Sequence, residues 1–497
     1  MMRTRISSAA SLTLAPLLGA AACTFLSSLD DLAGVPADGG AVDAPADTLG
    51  GDSSDAAPCN RDLSSDPQHC GACGNACAPY ELCVAASCIA CDSANHDCDG
   101  DGWLVAEGDC CDKPGDCGDQ PELINPGALE IPGNQVDDNC NLFDQEDIAP
   151  CDTGLSSSSN VAADYARALG ICRMAQAAPE KLAKTWGLLE AQLLRADGSP
   201  LGDASARSIR TSFGAVSPSV VEGDALVVLS TGIAADGTQT NPGPNQGAPA
   251  NSFMSYFHQP ISQVDLSLGC PGSACIQDWF ASANPPLKAA EALPTAPECE
   301  PPFNPSQAFD SVMLRLVIRA PTNMKSFRFR SYFLSAEYPV FVCSAFNDQL
   351  VALIDTPTGT PEIANPADKN LATYVDSELQ KWPVGINVAK GTGLFSVCES
   401  KTDNPDCWNA DVATASCSSG AAELAGTGFE KPTGGSCTLG GATGWLTMAG
   451  NVVPGEPLEL RVVIWDVNDA SYDSMVLLDG FSWHPDAVNP GTSSVAE

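Results

Sequence analysis

The feature that most constrains the fold is a two-residue periodicity in the C-terminal two thirds of the chain. Residues 312–319, 327–333 and 458–464 alternate their side chains with the period of a β-strand. Residues 225–230 form a continuous apolar run of strand length. Because long Gly/Pro/Asn-rich loops separate these runs, the sequence predicts a mainly β protein. Its large C-terminal domain is expected to be a β-sandwich or jelly roll.

A short helical piece is expected in front of these strands. Ser159 and Asn160 are N-cap residues, and residues 161–178 place apolar side chains on one helical face. A second helix or irregular segment is expected over residues 180–185. The sandwich should therefore begin with a small helical N-terminal segment.

The 23 cysteines indicate an oxidising compartment, because cytosolic proteins rarely keep so many. Zinc sites are a weaker interpretation, since the chain has only four histidines. Apart from Cys23, fourteen cysteines lie within Cys59–Cys172 and eight within Cys270–Cys437. Both numbers are even, so we expect disulfides within each group and none between the groups.

Residues 59–91 hold seven cysteines and are too few to build a core without covalent bridges. Cys70 and Cys73 form a CxxC pair that could be redox-active or half of a metal site. A structural disulfide is favoured among so many neighbouring cysteines. The segment DPQHCGACGNAC resembles short Cys-rich repeats of myxobacterial surface proteins.

The N-terminus predicts export. A basic start and a short apolar run over residues 9–22 are typical of a signal peptide covering residues 1–22. The following segment, LLGAAAC, resembles a bacterial lipobox with Cys23 as the lipidated residue. Ala20 departs from the usual leucine, so cleavage after Ala22 without lipidation is the alternative. The protein is then an outer-membrane or cell-surface lipoprotein, or a secreted protein if Cys23 is not lipidated.

The net charge of −39 argues against nucleic acid as a partner, since phosphates need Lys and Arg. It is compatible with cation binding and with a well-hydrated surface. Residues 23–58 are rich in Ala, Asp, Gly, Ser and Pro, and predict a disordered acidic tether. The membrane would be contacted through the lipid anchor only.

The segment over residues 92–150 is strongly acidic, which by itself is typical of a solvated face. Its spacing suggests a metal site instead. Asp97, Asp99 and Asp101 occupy positions 1, 3 and 5 of a loop with Gly102 at position 6, as in the first half of an EF-hand calcium loop. Position 12 is Gly108 rather than glutamate, so the segment departs from an EF-hand there.

The sequences DCDGDGWLVAEGDCCD and INPGALEIPGNQVDDNCN resemble the MopE-type metal-binding motif. The resemblance implies a small metal-binding module. The predicted metal ligands are Asp97, Asp99, Asp101, Asp109, Asp112, Asp137 and Asp138. Oxygen ligands favour Ca²⁺, whereas copper, which the family name suggests, prefers His, Met or Cys. His96 is the imidazole nearest in sequence, so copper is the less favoured cofactor.

A second metal or structural site is expected in the large domain, because acids within apolar runs are costly unless they are paired or bound to a cation. Its candidate residues are Glu337, Asn347, Asp348, Asp466, Asp469 and Asp473. The alternative for residues 466–473 is a turn whose Asn and Asp side chains cap backbone groups. Trp445, Trp465 and Trp483 are more readily explained as core residues than as a carbohydrate platform.

The sequence FLSAEYPVFVCSAFND, with GDALVVLSTGIA before it and GWLTMAGNVVPGEPLELRVVIWDVNDASYDSMVLLDGFSW after it, resembles the bacterial choice-of-anchor L domain. The resemblance spans about residues 151–485, which leaves 486–497 as a flexible tail. The resemblance to this family implies a surface location, and it does not imply any particular activity. The usual acidic pair before tyrosine is reduced here to Ala336-Glu337, so a role that needs two acids there is in doubt.

The chain contains no GxSxG, HExxH, P-loop or dinucleotide-binding glycine motif, and we predict that it is not an enzyme. The favoured hypothesis is a calcium-binding surface lipoprotein that acts in adhesion, matrix or surface interaction, with an unidentified protein or polysaccharide as ligand. A dedicated calcium- or copper-binding surface protein is the alternative. A carbohydrate-active enzyme using Glu337 and Asp348 as its carboxylate pair is a third hypothesis.

Overall fold

The computed structural model describes the chain in segments that lie within one compact unit starting at Arg61. The described residues are 63–65, 68–78, 81–90, 96–111, 120–142, 150–177, 185–202, 204–215, 218–234, 308–339, 341–344, 346–375, 381–389, 392–398, 417–429, 440–467 and 472–494. The predicted signal peptide, Cys23 and the acidic tether lie outside these residues.

The described elements are fifteen strands, one α-helix and five short 3₁₀ helices. The strands are β1 Glu81–Val84, β2 Ser87–Ala90, β3 Gly187–Leu194, β4 Arg207–Arg210, β5 Leu226–Ser230, β6 Ala308–Arg319, β7 Ser326–Ser335, β8 Gln349–Asp355, β9 Thr373–Val375, β10 Lys381–Gly385, β11 Val397–Cys398, β12 Gly441–Asn451, β13 Pro457–Val467, β14 Ser474–His484 and β15 Gly491–Ser494. The α-helix, α1, is Ala162–Ala168, and the 3₁₀ helices are Val105–Glu107, Pro121–Leu123, Ala204–Ala206, Asn387–Ala389 and Ala422–Leu424.

Two antiparallel sheets form the large domain, which confirms the predicted β-sandwich class. The first sheet has six strands in the order β3-β6-β13-β8-β10-β9. The second has the order β11-β12-β7-β14-β5-β4, and β15 also pairs with β12. Side chains from both sheets meet in one large apolar core. The long strands β6, β13, β7 and β14 lie inside the sheets, where both edges are hydrogen-bonded.

The alternation in β6 shows why the sequence forms this layer. Val312, Leu314, Leu316 and Ile318 all point into the shared core and are fully or almost fully buried. Arg315 points to the other face, where its Nη1 donates to Glu190 Oε2 at 2.9 Å and its Nε to Glu459 Oε2 at 3.0 Å. These partners belong to β3 and β13, so the polar face of β6 ties together both neighbouring strands.

Strand β7 of the second sheet contacts apolar residues on both of its faces. Phe327, Phe329 and Phe333 of β7 face the core between the sheets. Tyr332 and Leu334 of the same strand face a smaller core on the opposite side. A strand covered on both faces is expected to carry apolar residues at successive positions, as residues 332–334 do.

Two details differ from the sequence-based expectations. The helix begins near the predicted position, with Ser159 Oγ accepting from Val161 N at 3.1 Å, but ends at Ala168 rather than near residue 178. Gly170, at φ +104°, follows it in a left-handed conformation that ends a helix readily. Residues 491–494 lie in the expected flexible tail, yet they pair with Met448 and neighbouring residues of β12.

The cysteine-rich region near the N-terminus is cross-linked by disulfide bonds, as expected. Cys70 bonds to Cys83, so the CxxC pair does not close on itself. Each bridge that the structure describes joins two cysteines of the same predicted group. These bridges are Cys70–Cys83, Cys77–Cys88, Cys110–Cys140, Cys151–Cys172 and Cys398–Cys417.

The acidic module packs against the β domain through residues 125–129. Thr322, in the turn between β6 and β7, donates from its hydroxyl to Asn125 Oδ1 at 2.7 Å and from its amide to Gly127 O at 3.1 Å. Trp186, which precedes β3, donates from its indole to Ala128 O at 3.1 Å. Hydrogen bonds from Thr322 and Trp186 therefore hold residues 125–128 of the acidic module on the sandwich.

Candidate cation sites

The first candidate site is the aspartate loop, which we define as residues 97–103. One carboxylate oxygen from each of Asp97, Asp99 and Asp101 lies within 4.8 Å of the other two. Asp97 accepts backbone hydrogen bonds from Gly100 N at 2.7 Å and Gly102 N at 2.6 Å. Both glycines have φ of +87°, so the tight turn that brings the carboxylates together depends on them. The predicted 1-3-5 arrangement is present.

The electrostatics of the aspartate loop favour a bound cation. Burial raises the pKa of Asp101 to about 7, and the charges of Asp99 and Asp109 push it the same way. A hydrogen bond from Trp103 N to Asp101 Oδ1 at 2.6 Å and the nearby Asn125 amide oppose that rise. Asp101 Oδ2 is buried and accepts no hydrogen bond from the described residues. A cation bound there would relieve both desolvation and repulsion.

Two other predicted ligands of the acidic module, Asp137 and Asp138, form hydrogen bonds within their own turns. Both carboxylate oxygens of Asp137 accept backbone hydrogen bonds, from Asn141 N and Leu142 N. Asp138 Oδ2 accepts from Ile131 N at 3.0 Å and Asn134 Nδ2 at 2.8 Å. Their charges act on Glu130, whose pKa is raised chiefly by burial. These two aspartates serve as turn caps here. Asp112 lies outside the described residues.

The second candidate site brings together residues that are far apart in sequence. Asp348 precedes β8, Asp466 lies in β13, and Asp473 precedes β14. All three were predicted as members of a second site, and all are at most 3 % exposed. Asp310 of β6, which the sequence analysis missed, is 1 % exposed, and its charge acts on both Asp466 and Asp473. We call these four residues the aspartate cluster.

Three other residues were predicted for that site, namely Glu337, Asn347 and Asp469. Asn347 Oδ1 accepts from Asn387 N at 2.8 Å and so stabilises the turn after β10. Glu337 is buried in the turn after β7, and its carboxylate is not among the charges that act on Asp466 or Asp473. Asp469 lies outside the described residues.

The three tryptophans fall into two environments. Trp465 is fully buried, and Trp483 packs edge-on against Phe327 and Phe481 with ring centroids 6.2 and 5.1 Å away. Trp445 is only half-buried, and together with Tyr374 it lines a groove of about 850 Å³. Arg330 also lines this groove.

The fold and these sites together define a mainly β, disulfide-stapled protein with buried carboxylate clusters. Residues 302–484 match the family model of the choice-of-anchor L domain, which identifies that part of the sandwich and suggests a cell-surface or exported protein. The match starts after β5 and ends before β15, so β3, β4, β5 and β15 complete the two sheets from outside the matched residues. No curated protein and no solved structure matches the chain significantly. Among the described residues, no helix is both long and apolar enough to cross a membrane.

Proposed function

We propose that the protein is a non-catalytic, calcium-binding cell-surface lipoprotein that acts in adhesion, matrix formation or surface interaction. The observation that carries the calcium assignment is the convergence of Asp97, Asp99 and Asp101 within 4.8 Å on a glycine-dependent turn. Hard carboxylate oxygens at that spacing suit Ca²⁺, which takes six to eight oxygen ligands. Asp109, whose charge acts on Asp101, is the next ligand available to the ion.

Copper is the alternative metal, and the donor set argues against it. Asp109 adds a carboxylate to those of the aspartate loop, and the amide that interacts with Asp101 is that of Asn125. Cys110, the closest cysteine after Asp109, is bonded to Cys140 and is therefore not available as a thiolate. Copper prefers nitrogen and sulfur ligands, so an oxygen-lined loop favours calcium.

A carbohydrate-active enzyme using Glu337 and Asp348 is the least supported alternative. Asp348 is fully buried, and its two oxygens accept from Val467 N at 3.1 Å and Ser474 Oγ at 2.6 Å. Glycosidases need two carboxylates that flank a bound sugar. A carboxylate held inside the sandwich in this way cannot reach a polysaccharide chain.

The groove beside Trp445 is the surface that best fits a saccharide ligand. Trp445 packs edge-on against Tyr332 with ring centroids 5.5 Å apart, which fixes the indole in place. Tyr332 is fixed in turn by its hydroxyl, which donates to Glu423 Oε2 at 2.7 Å. A rigid, half-buried aromatic ring next to Arg330 offers a stacking face and hydrogen-bond donors, as sugar-binding surfaces do. Trp445→Ala should abolish binding on a glycan array, whereas Trp483→Phe should leave it unchanged.

The calcium assignment is tested by calorimetric titration of the full-length protein after treatment with a chelator. Asp99→Asn/Asp101→Asn should remove one calcium equivalent. The control variant Asp137→Asn alters a turn cap and should retain that equivalent. Titration with Cu²⁺ in parallel separates the two metals. Unchanged calcium binding in the double variant would overturn the calcium assignment. It would also be overturned if the wild type and the control variant bound copper and the double variant did not.

A further inference from the structure

The aspartate cluster lies where the two sheets of the sandwich meet at one end. Asp310 lies in β6 and Asp466 in β13 of the first sheet, and Asp348 is the residue just before β8 of the same sheet. Asp473 belongs to the second sheet, immediately before β14. Asp466 lies next to the last residue of β13, Val467, and Asp473 lies next to the first residue of β14, Ser474. An ion bound here would connect both sheets.

Two members of the cluster have buried oxygens that lack hydrogen-bond donors. Both carboxylate oxygens of Asp466 and one of Asp473 are buried and accept no hydrogen bond from the described residues. These side chains are 98 and 97 % buried, since their exposed fractions are 2 and 3 %. The Thr231 hydroxyl donates to Ser474 O at 3.2 Å, and it also lies near enough to Asp466 to oppose part of the rise in the pKa of that residue. An ionised carboxylate in such surroundings is strongly destabilising unless something positive compensates it.

The charges around these two residues are negative. Burial raises the pKa of Asp466 well above its usual range, and the charges of Asp348, Asp473 and Asp310 raise it further. Burial likewise raises the pKa of Asp473 to about 8, with Asp310 and Asp348 adding to the rise. Several carboxylates that share one buried space favour either proton uptake or a cation.

The backbone around the cluster is shaped to hold these carboxylates. The pairing of β13 with β6 shifts register between Ile464 and Asp466, and Asp310 has a left-handed φ of +53°. A bulge of this kind re-aims a side chain, and strain of this kind collects at functional sites. Gly232 leaves room for Asp473, because a Cβ on Gly232 would overlap the Asp473 carboxylate.

We propose that Asp310, Asp348, Asp466 and Asp473 form a buried divalent-cation site, selective for Ca²⁺, that clamps the two sheets together. This site is distinct from the aspartate loop and goes beyond the function proposed above. Four carboxylates provide enough oxygens for calcium, which accepts both one- and two-oxygen binding by carboxylates. Asp348 is oriented by hydrogen bonds from Val467 N and Ser474 Oγ, the neighbours in sequence of Asp466 and Asp473.

The site can be tested without interference from the aspartate loop, by using full-length protein that carries Asp99→Asn/Asp101→Asn as the background. Terbium luminescence reports occupancy, because Trp465 and Tyr472 adjoin Asp466 and Asp473 in sequence and can sensitise a bound lanthanide. We expect the background protein to bind one Tb³⁺ that Ca²⁺ displaces, and its melting temperature to rise on adding Ca²⁺. Adding Asp466→Asn should abolish both the luminescence and the calcium-dependent rise.

Two further variants distinguish ligation from simple damage to the core. Without calcium, Asp466→Asn should melt at the same temperature as the background or higher, because it removes one of several repelling charges. Gly232→Ala keeps every carboxylate but displaces Asp473, and should weaken calcium binding at least tenfold. Asp479→Asn, which changes a buried aspartate of β14 outside the cluster, should keep full binding. Absence of calcium binding in the background protein, or full binding with Asp466→Asn, would overturn the proposal.

Discussion

Leu129 and Asn323 form a reciprocal pair of hydrogen bonds across 194 residues of sequence. Asn323 Nδ2 donates to Leu129 O at 2.8 Å, and Leu129 N donates to Asn323 Oδ1 at 2.9 Å. Asn323 is 5 % exposed and lies in the turn between β6 and β7. One side chain thus satisfies both backbone groups of a residue in the acidic module. The module and the β domain form a continuous packed structure at this point.

We predict that Asn323→Ala loosens the acidic module. The substitution leaves the partly buried amide and carbonyl of Leu129 without these partners, which costs up to about 1–3 kcal/mol for each group. Hydrogen exchange in peptides covering residues 121–142 should accelerate. Asn365→Ala is the matched control, since Asn365 makes the same reciprocal pair with Asn451 inside the β domain. Equal exchange over 121–142 in both variants would contradict the docking role of Asn323.

Asp479 should give the fold a measurable dependence on pH. Burial raises the pKa of Asp479 to about 6, aided by the charge of Glu222 and opposed by hydrogen bonds from the amides of Val221, Gly480 and Glu222. Arg330 lies opposite Asp479 in the pairing of β7 with β14. Because the folded state holds the proton more tightly than the unfolded chain, the free energy of unfolding falls as pH rises from about 4 to 6.

The measurement is chemical denaturation at several pH values in one calcium-containing buffer. Asp479→Asn should flatten the slope between pH 4 and 6, by an amount on the order of a few kcal/mol across the window. Glu222→Gln should lower the pKa of Asp479 and shift the window downward without abolishing it. The same slope in the wild type and in Asp479→Asn would refute the assignment.

The disulfides should remain within their two groups. Mass mapping of non-reduced peptides should find no bridge between a cysteine of Cys59–Cys172 and one of Cys270–Cys437. Replacing both Cys151 and Cys172 with serine opens a loop with a sequence separation of 21, and should cost about 3 kcal/mol. A single inter-group bridge in the oxidised, secreted protein would disprove this arrangement.

Surface attachment should depend on Cys23. Metabolic labelling with a fatty-acid analogue should tag the wild-type protein, because LLGAAAC presents Cys23 at the lipidation position. Cys23→Ala should carry no label and should appear in the culture medium. Equal labelling of the two proteins would show that the lipid is attached elsewhere, and labelling of neither would favour plain signal-peptide cleavage.

The strands were predictable because their signal is local. The alternation over residues 312–319 and 458–464 placed β6 and β13 correctly, since side-chain burial enforces a two-residue period. The strand at 491–494 was missed because GTSS carries no apolar alternation and is defined by its pairing with β12. The helix was predicted too long because the apolar pattern was followed beyond Gly170. The left-handed conformation of Gly170 ends the helix before that point.

The aspartate cluster shows where sequence reasoning stops. Asp466 and Asp473 drew attention because they lie in an acidic run, and Asp348 because it adjoins an apolar strand. Asp310 is a single acid in FDSVM, and nothing local distinguishes it from a surface residue. It joins the others because β13 lies between β6 and β8, and because a bulge re-aims the backbone there. Both causes are tertiary and become visible only in the folded chain.

Calcium content is the most direct test of the central claim that this protein binds calcium in the aspartate loop and in the aspartate cluster. Full-length protein is stripped with a chelator, dialysed against about 1 mM Ca²⁺ with excess Mg²⁺, a level at which extracellular calcium modules are occupied, and analysed by elemental mass spectrometry. A variant carrying Asp99→Asn/Asp101→Asn and Asp466→Asn/Asp473→Asn is treated in the same way. We predict that the wild type retains two more calcium ions per chain than this variant. Equal calcium content in the two proteins would contradict the account.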